Sequence, residues 1–177
     1  DLDLNGTNGY RDANLPNAQD PNENDNQSPD PSDEKLETLA TRGELAAALY
    51  VQAGTPEVKL PETSPWPDVK TTDPNFPAYV WARQKGITFG WSDGKFHANA
   101  SVSNATVAAF LYRFDGKKSV AATEAPYTDV KVGSAFYREI TWAKQQKLQV
   151  FPGSEYHPSA LVSRGELAGF LMNYKVR

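Results

Sequence analysis

The chain has 177 residues, a net charge of −4 and no cysteine, and 39% of its residues are hydrophobic. This length and apolar content suit one or two small folded domains. Disulfides are excluded as a source of stability. No apolar run approaches the roughly 18 residues that a membrane-spanning helix needs, so no membrane partner is expected. The opening residues Asp1–Leu4 lack signal-peptide features, and we expect a mature fragment or an excised module.

Charge is unevenly distributed along the chain. Residues 1–38 carry ten acidic side chains against only Arg11 and Lys35, whereas the remaining residues carry 12 acidic and 16 basic groups. A mildly basic body with an acidic arm is compatible with an anionic glycan partner. The basicity is too weak to indicate a nucleic-acid partner, and none is expected.

The first twelve residues carry oxygen-bearing side chains at the spacing of a calcium loop. The predicted metal ligands are Asp1, Asp3, Asn5, Thr7 and Asp12. The segment resembles dockerin-type loops, which implies calcium as a cofactor. However, Asn8 stands where such loops have an apolar residue, and no helical pattern follows Asp12. A solvated acidic arm without metal is therefore the alternative.

Residues 1–35 are interpreted as this arm together with a degenerate start of a first repeat, and residues 36–64 as the rest of that repeat. Asn, Asp, Pro and Gln dominate residues 14–33 without apolar periodicity, which is typical of a linker. The next helix opens with a capping box, in which Thr41 caps and Glu44 reaches back. The first repeat is thus predicted to lack its first helix.

Two full repeats follow, over residues 65–125 and 126–177. The run Pro-Trp-Pro-Asp-Val of the earlier one recurs as Pro-Tyr-Thr-Asp-Val 61 positions later, and Val-Trp-Ala-Arg-Gln recurs as Thr-Trp-Ala-Lys-Gln with the same spacing. The Thr-Arg-Gly-Glu-Leu-Ala run that starts at Thr41 returns almost unchanged at Ser163, with a second capping box. Matching segments in one fixed order indicate a repeat architecture.

Each full repeat is predicted to hold two helices. The first helices span about residues 76–85 and 136–146, and Gly86 ends the earlier one as a C-cap. A turn at residues 91–94 leads to a second helix with apolar residues at i, i+3, i+4 and i+7. These are Val107, Phe110, Leu111 and Phe114 in one repeat, and Leu167, Phe170, Leu171 and Tyr174 in the other. Because stripes this wide must pack against each other, we expect a pseudo-threefold arrangement with the three second helices at its centre.

The complete pattern resembles the S-layer-homology (SLH) repeat. Its elements are aromatic-x-Asp-Val, a helix bearing Trp-Ala, then Gly-Ile-x-x-Gly-Trp-x-Asp-Gly-x-Phe at residues 86–96, then Thr-Arg-x-Glu. The resemblance covers residues 36–177 well and residues 9–35 poorly. It implies a mainly α fold, a helical prism of three helix-loop-helix repeats with the first one truncated. It also implies grooves between repeats that bind secondary cell-wall polysaccharide.

The resemblance assigns groove residues by position. It implies glycan contacts at Arg42, Arg164, Asp12, Asp68, Asp129, Gly86 and Gly90, and Trp91 is a candidate for stacking on a sugar. A guanidinium at a helix N-terminus suits a carboxylate. The second repeat departs from the family with Asn104 in place of the Arg, and the third has Lys147 and Phe151 in place of the loop glycines. The pairing of Arg42 with the loop of the second repeat is therefore the favoured groove.

Several of these residues also have structural interpretations. Asp68 and Asp129 are more often turn or capping residues than ligands, and the two Trp-Ala tryptophans, Trp81 and Trp142, are predicted to lie in the core. For His97 and His157, packing or hydrogen bonding is favoured over metal binding, because no second His or Cys accompanies either. No nucleophile, base and orienting group come together, so no enzymatic activity is predicted.

The predicted function is a non-catalytic module that anchors a fused protein to the cell wall of a Gram-positive bacterium, on the outside of the cell. The alternative is a structural or protein-docking module, with or without calcium, that kept the SLH fold and lost glycan binding. In that case a protein partner replaces the glycan.

Overall fold

A computed structural model describes residues 39–121 and 123–177. This part of the chain contains no β-strand and five helices: α1 (Arg42–Gln52), α2 (Phe76–Gln84), α3 (Asn104–Phe114), α4 (Tyr137–Gln145) and α5 (Arg164–Val176). The prediction of a mainly α fold is confirmed. Within the described ranges, every helix is too short or too polar to cross a bilayer.

The helices α2 and α4 end in the same left-handed turn, although only one of them uses glycine. After α2, Gly86 has φ +69°, and the next N–H, that of Ile87, reaches back to the Ala82 carbonyl at 2.9 Å. After α4, Lys147 has φ +57°, and Leu148 reaches back to Ala143 at 3.0 Å. A left-handed conformation costs a non-glycine residue roughly 1–2 kcal/mol. The third repeat therefore keeps the turn at some cost in stability.

The second helix of each repeat begins at a capped residue. The caps are Thr41, Ser103 and Ser163, and the side chain of each accepts the backbone N–H three residues further on. The predicted capping box is complete at α5, where Glu166 accepts the Ser163 backbone N–H at 3.0 Å. At α1 only one of the two predicted bonds of the box is present, the bond from the Glu44 backbone N–H to the Thr41 side chain. Glu44 accepts from the Thr41 hydroxyl and from Arg164, so it does not reach the Thr41 backbone.

The segments that precede α1, α3 and α5 bind one another in a closed ring. Ala40 donates its N–H to the Val162 carbonyl at 2.9 Å, Val162 donates to Val102 at 2.9 Å, and Val102 donates to Ala40 at 3.1 Å. Isolated antiparallel bridges accompany these bonds. Because each segment donates one bond and accepts one, the starts of the three helices meet around a common axis.

Further from this ring, the helices pack as consecutive pairs, α1 with α2 and α3 with α4. Each pair joins the second helix of one repeat to the first helix of the next. Trp81 of α2 bridges neighbouring second helices, with its ring 5.5 Å from Tyr50 of α1 and 6.0 Å from Phe114 of α3. Trp142 of α4 bridges α3 and α5 in the same way. Both tryptophans are buried, which confirms their predicted place in the core.

Candidate functional site

The first residue of α1, Arg42, lies buried beneath the loop of the second repeat. Its Nε donates to the Phe96 carbonyl at 3.0 Å, and an Nη donates to the Thr88 hydroxyl at 3.1 Å. The guanidinium carbon also lies 5.8 Å from the ring centre of Trp91 and 5.5 Å from that of Phe110. The structure brings Arg42 and this loop together, and the glycan contact assigned to Arg42 stays a prediction. Because the residue is 0% exposed, its guanidinium supports the loop from below.

The outer side of that loop carries an aromatic and ionic cluster. The Trp91 ring stacks on the His97 ring at 3.8 Å between centroids, and His97 Nε2 lies 2.6 Å from Asp93 Oδ2. Desolvation raises the pKa of Asp93, but the Lys95 amide and His97 outweigh it, so the pKa lies below its ordinary value. His97 thus has a packing and hydrogen-bonding role, as predicted. Trp91 is half-buried and Asp93 exposed, so both are within reach of a ligand.

The loop can approach Trp66 closely only because residue 90 is glycine. Gly90 has φ +88°, and a Cβ there would lie 2.5 Å from the Lys95 carbonyl and 3.1 Å from Trp66 Nε1. Trp66 Nε1 donates to the Phe89 carbonyl at 3.2 Å. Gly86 shapes the turn at the start of the loop, as described above. Both glycines therefore have conformational roles, and their contact with a glycan stays a prediction.

The two aspartates of the aromatic-x-Asp-Val motif hold the ends of the loops. The two carboxylate oxygens of Asp68 accept the backbone N–H groups of Phe96 and His97 at 2.9 and 2.8 Å. Asp129 accepts those of Tyr156 and His157, both at 2.8 Å. This geometry matches their interpretation as turn residues. A glycan contact would have to use lone pairs that these four bonds leave available.

A second cleft lies over α3, where Asn104 replaces the arginine. Asn104 Nδ2 donates to the carbonyls of Tyr156 and His157 at 3.2 and 3.1 Å, so it binds the counterpart of the carbonyl that Arg42 binds. The Tyr156 hydroxyl returns a bond to the Asn104 carbonyl at 3.1 Å. Burial raises the pKa of Tyr156 far above its usual range. The side chain that fills this cleft is therefore a neutral carboxamide where the other cleft has a buried guanidinium.

The second cleft also leaves polar atoms without partners. Asn104 Oδ1, Gln149 Oε1 and the Tyr127 hydroxyl are buried and have no hydrogen-bond partner among the described residues. Gln149 stands where the second repeat has Thr88, and Tyr127 where it has Trp66, so each loses the bond that its counterpart makes. Burial, with a contribution from the Asp129 carboxylate, raises the pKa of Tyr127 to about 12. Because such atoms are costly to bury, the replacements at Gln149 and Tyr127 carry a cost in stability.

The second predicted arginine, Arg164, has a different environment from Arg42. Its side chain is 60% exposed and donates twice to Glu44 of α1, at 2.8 and 3.1 Å. The structure thus brings Arg42, Gly86, Gly90, Trp91 and Asp68 together around one loop. It places Asp129 on the loop of the third repeat and Arg164 at the start of α5.

The predicted metal ligands Asp1, Asp3, Asn5, Thr7 and Asp12 lie outside the described residues. Between Leu39 and Arg177, the described part of the chain holds no group of three or more His, Asp or Glu side chains suited to a metal ion. His157 faces Glu155 at 3.4 Å and is exposed. Calcium binding therefore stays a prediction that depends on the N-terminal arm alone.

Sequence reasoning missed the acceptors that hold Arg42. Thr88 falls in the x-x of Gly-Ile-x-x-Gly, where no side chain is specified, and the Phe96 acceptor is a backbone carbonyl. The only indication in the sequence was the alignment of the repeats, in which Asn104 occupies the position of Arg42 and Gln149 that of Thr88. The exchange of Arg and Thr in one cleft for Asn and Gln in the other was therefore readable in principle, although Asn104 and Gln149 do not bind each other.

Comparison with protein-family models and with curated proteins gives no match for this chain.

Proposed function

We propose that the chain is a three-repeat module of the S-layer-homology type, which binds secondary cell-wall polysaccharide and anchors a fused protein outside a Gram-positive cell. The observation that carries this proposal is the cross-repeat cleft, in which Arg42 of one repeat holds the loop of the next beneath Trp91. The ring of bonds through Ala40, Val102 and Val162 supports a prism of three repeats. No chemical step is assigned, and the module binds without catalysis.

In this proposal the sugar meets the outer side of the loop. The exposed part of Trp91, backed by His97, offers an apolar surface for the C–H groups of a pyranose ring. Asp93 accepts sugar hydroxyls, and the exposed ammonium group of Lys95 attracts the acidic substituents of the polymer. Arg42 acts as a positioning residue, because its buried guanidinium fixes the loop carbonyl of Phe96. The glycines shape the loop.

Sedimentation with cell-wall sacculi tests this function, before and after chemical removal of the secondary polymer. The wild-type chain is expected to sediment only with intact sacculi. Trp91→Ala should lose about tenfold or more in affinity, since a stacked ring is a typical anchor of an interface. Val132→Ala is the matched control, because that side chain is 59% exposed and lies outside the loop. Equal sedimentation of Trp91→Ala and the control, or binding after polymer removal, would contradict the proposal.

A docking module that lost glycan binding is the second candidate. It is favoured by the burial of Arg42 and by the neutral Asn104 in the second cleft, since neither offers a cation to an acidic sugar. This function predicts a protein partner in pull-downs and no sedimentation with sacculi. A partner that is retained in calcium and released by a chelator would add a role for the predicted ligands in residues 1–12.

A further inference from the structure

One face of α5 is open to solvent, although its counterparts on α1 and α3 are covered. The helices α1 and α5 begin with the same five residues, Arg-Gly-Glu-Leu-Ala. Ala46 of α1 and Ala108 of α3 are 0% and 1% exposed, whereas the matching Ala168 of α5 is exposed. Four residues on, Tyr112 of α3 is 6% exposed and Met172 of α5 is 59% exposed. Among the described residues, the same helix face is therefore covered by another helix on α1 and on α3 but not on α5.

On α1 this face is covered by the helix α2. Its Tyr79 hydroxyl would lie 2.6 Å from a Cβ at residue 43, so the tyrosine fits only because Gly43 has no side chain. Two residues later, Trp81 packs on Tyr50, 5.5 Å between centroids. The helix α4 covers the corresponding face of α3, with the ring centroid of Trp142 5.7 Å from that of Tyr112. The covering element is thus a helix with a tryptophan directed at this face.

The α5 face keeps the features that receive such a helix. At Gly165, apart from its chain neighbours and the backbone of α5 itself, the only atom of the described residues within 4 Å of an added Cβ is the Ser163 hydroxyl oxygen, at 3.9 Å. Met172 stands where Tyr50 and Tyr112 meet their tryptophans, and a thioether packs well on an aromatic ring. Val176, at 71% exposed, extends the apolar face toward the end of the helix.

We propose that this face of α5, at Gly165, Ala168 and Met172, is the docking site for a helix of a second polypeptide that carries the tyrosine and tryptophan pattern of α2. Residues 1–38 contain one aromatic residue, Tyr10, and no tryptophan, so they do not supply this pattern. The partner helix also carries acidic residues on its flank. The reason is that the exposed ammonium group of Lys175 has no carboxylate partner within residues 39–121 and 123–177.

Met172 is the only methionine of the chain and provides a specific reporter for this site. Its carbon-13-labelled methyl resonance is observed while a synthetic peptide of residues 65–98 of this chain is added to the full-length protein. The methyl signal should move upfield and saturate, because the indole ring shields a methyl group packed on its face. A peptide with Trp81→Ala should bind at least about tenfold more weakly.

Two variants of the protein locate the binding. Ala168→Glu places a charge in the centre of the face and should weaken peptide binding about tenfold or more. Val132→Glu changes an apolar side chain elsewhere that is as exposed as Met172, at 59%, and should leave binding unchanged. The proposal is overturned if the methyl signal shows no saturable shift up to about 1 mM peptide, or if Ala168→Glu binds like Val132→Glu.

The rate of Met172 oxidation by hydrogen peroxide distinguishes other occupants. Without peptide, Met172 should oxidise at a rate near that of free methionine at every protein concentration. Protection that is independent of concentration would mean that the chain covers the face itself, and protection that grows with concentration would mean a second copy. Either result overturns the proposed occupant. Sedimentation with sacculi is independent of this face, so the two functions can fail separately.

Discussion

Beneath the second-repeat loop a charged guanidinium fills the cleft over α1, whereas a neutral carboxamide fills the corresponding cleft over α3. Both side chains bind the carbonyl at the end of the loop that covers them. Arg42 reaches further and also binds Thr88, while Asn104 leaves Gln149 Oε1 without a partner among the described residues. The fold therefore accommodates either a charged or a neutral side chain beneath the loop, and the two clefts need not have the same function.

Removing Arg42 should have the largest effect on stability. Arg42→Ala deletes two hydrogen bonds from a charged donor and the packing beneath Trp91, so we expect a loss of about 3–5 kcal/mol in the free energy of unfolding. Asn104→Ala should cost less, about 1–3 kcal/mol. Urea denaturation measures both. Arg42→Asn, which copies the second cleft, should fall between wild type and Arg42→Ala, and equal losses for all three variants would contradict the difference between the clefts.

Asp68 and Asp129 should contribute equally to the free energy of unfolding, because the geometry of their hydrogen bonds is the same. Asp68→Ala and Asp129→Ala each remove two backbone hydrogen bonds to a carboxylate, and each should cost about 2–3 kcal/mol. Asp73→Ala is a control in the same region, since among the described residues the Asp73 side chain accepts a single exposed backbone bond, from Asn75. If either Asp68→Ala or Asp129→Ala were as stable as Asp73→Ala, the two aspartates would not have equivalent roles.

A smaller effect is expected at the left-handed turn that precedes each loop. Lys147→Gly should stabilise the protein by about 0.5–1 kcal/mol, because glycine adopts φ +57° without steric cost. Gly86→Ala should destabilise it by about 1 kcal/mol at φ +69°. Thermal denaturation of the two variants measures this contrast. A loss of stability in Lys147→Gly would show that the lysine side chain makes a contact that outweighs the strain.

The smallest effect at neutral pH is expected at Tyr127, and it should grow in alkali. Burial raises the pKa of Tyr127 to about 12, above its ordinary value near 10. The unfolded chain therefore loses this proton first, and the stability contribution of the neutral tyrosine declines as the pH rises from about 10 to 12. In urea denaturation, Tyr127→Phe should be slightly more stable than wild type at pH 7, because it removes a buried hydroxyl that has no partner among the described residues, and the difference should widen at pH 11. Unchanged sensitivity to alkali would contradict the burial of this hydroxyl.

The repeats made much of the fold predictable. The apolar spacing of Val107, Phe110 and Leu111 indicated a buried helix, and the serine and threonine caps located the starts of the second helices. The ring formed by Ala40, Val102 and Val162 was not predicted in detail, because backbone bonds between distant segments leave no pattern in side chains. Periodicity alone does not specify them.

The candidate site was predictable only as a location. The departures of the other repeats from the family pattern favoured pairing Arg42 with the second-repeat loop, and the structure brings the two together. Its complete burial was not predicted, because a Thr-Arg-x-Glu pattern is the same for a surface arginine and for one covered by a distant loop. Arg164 shares the pattern and is 60% exposed. Long-range packing thus gives different environments to two arginines that lie in the same local sequence pattern.

Nuclear magnetic resonance of the nitrogen-15-labelled chain, titrated with secondary polymer released from sacculi, tests the central claim most directly. The two loops provide matched reporters in one sample, with the Trp91 indole N–H and the His97 amide on one and the His157 amide on the other. We predict saturable shifts at Trp91 and His97 and none at His157. Shifts of equal size at His97 and His157, or none at Trp91, would contradict the assignment of the glycan site to the outer side of the second-repeat loop.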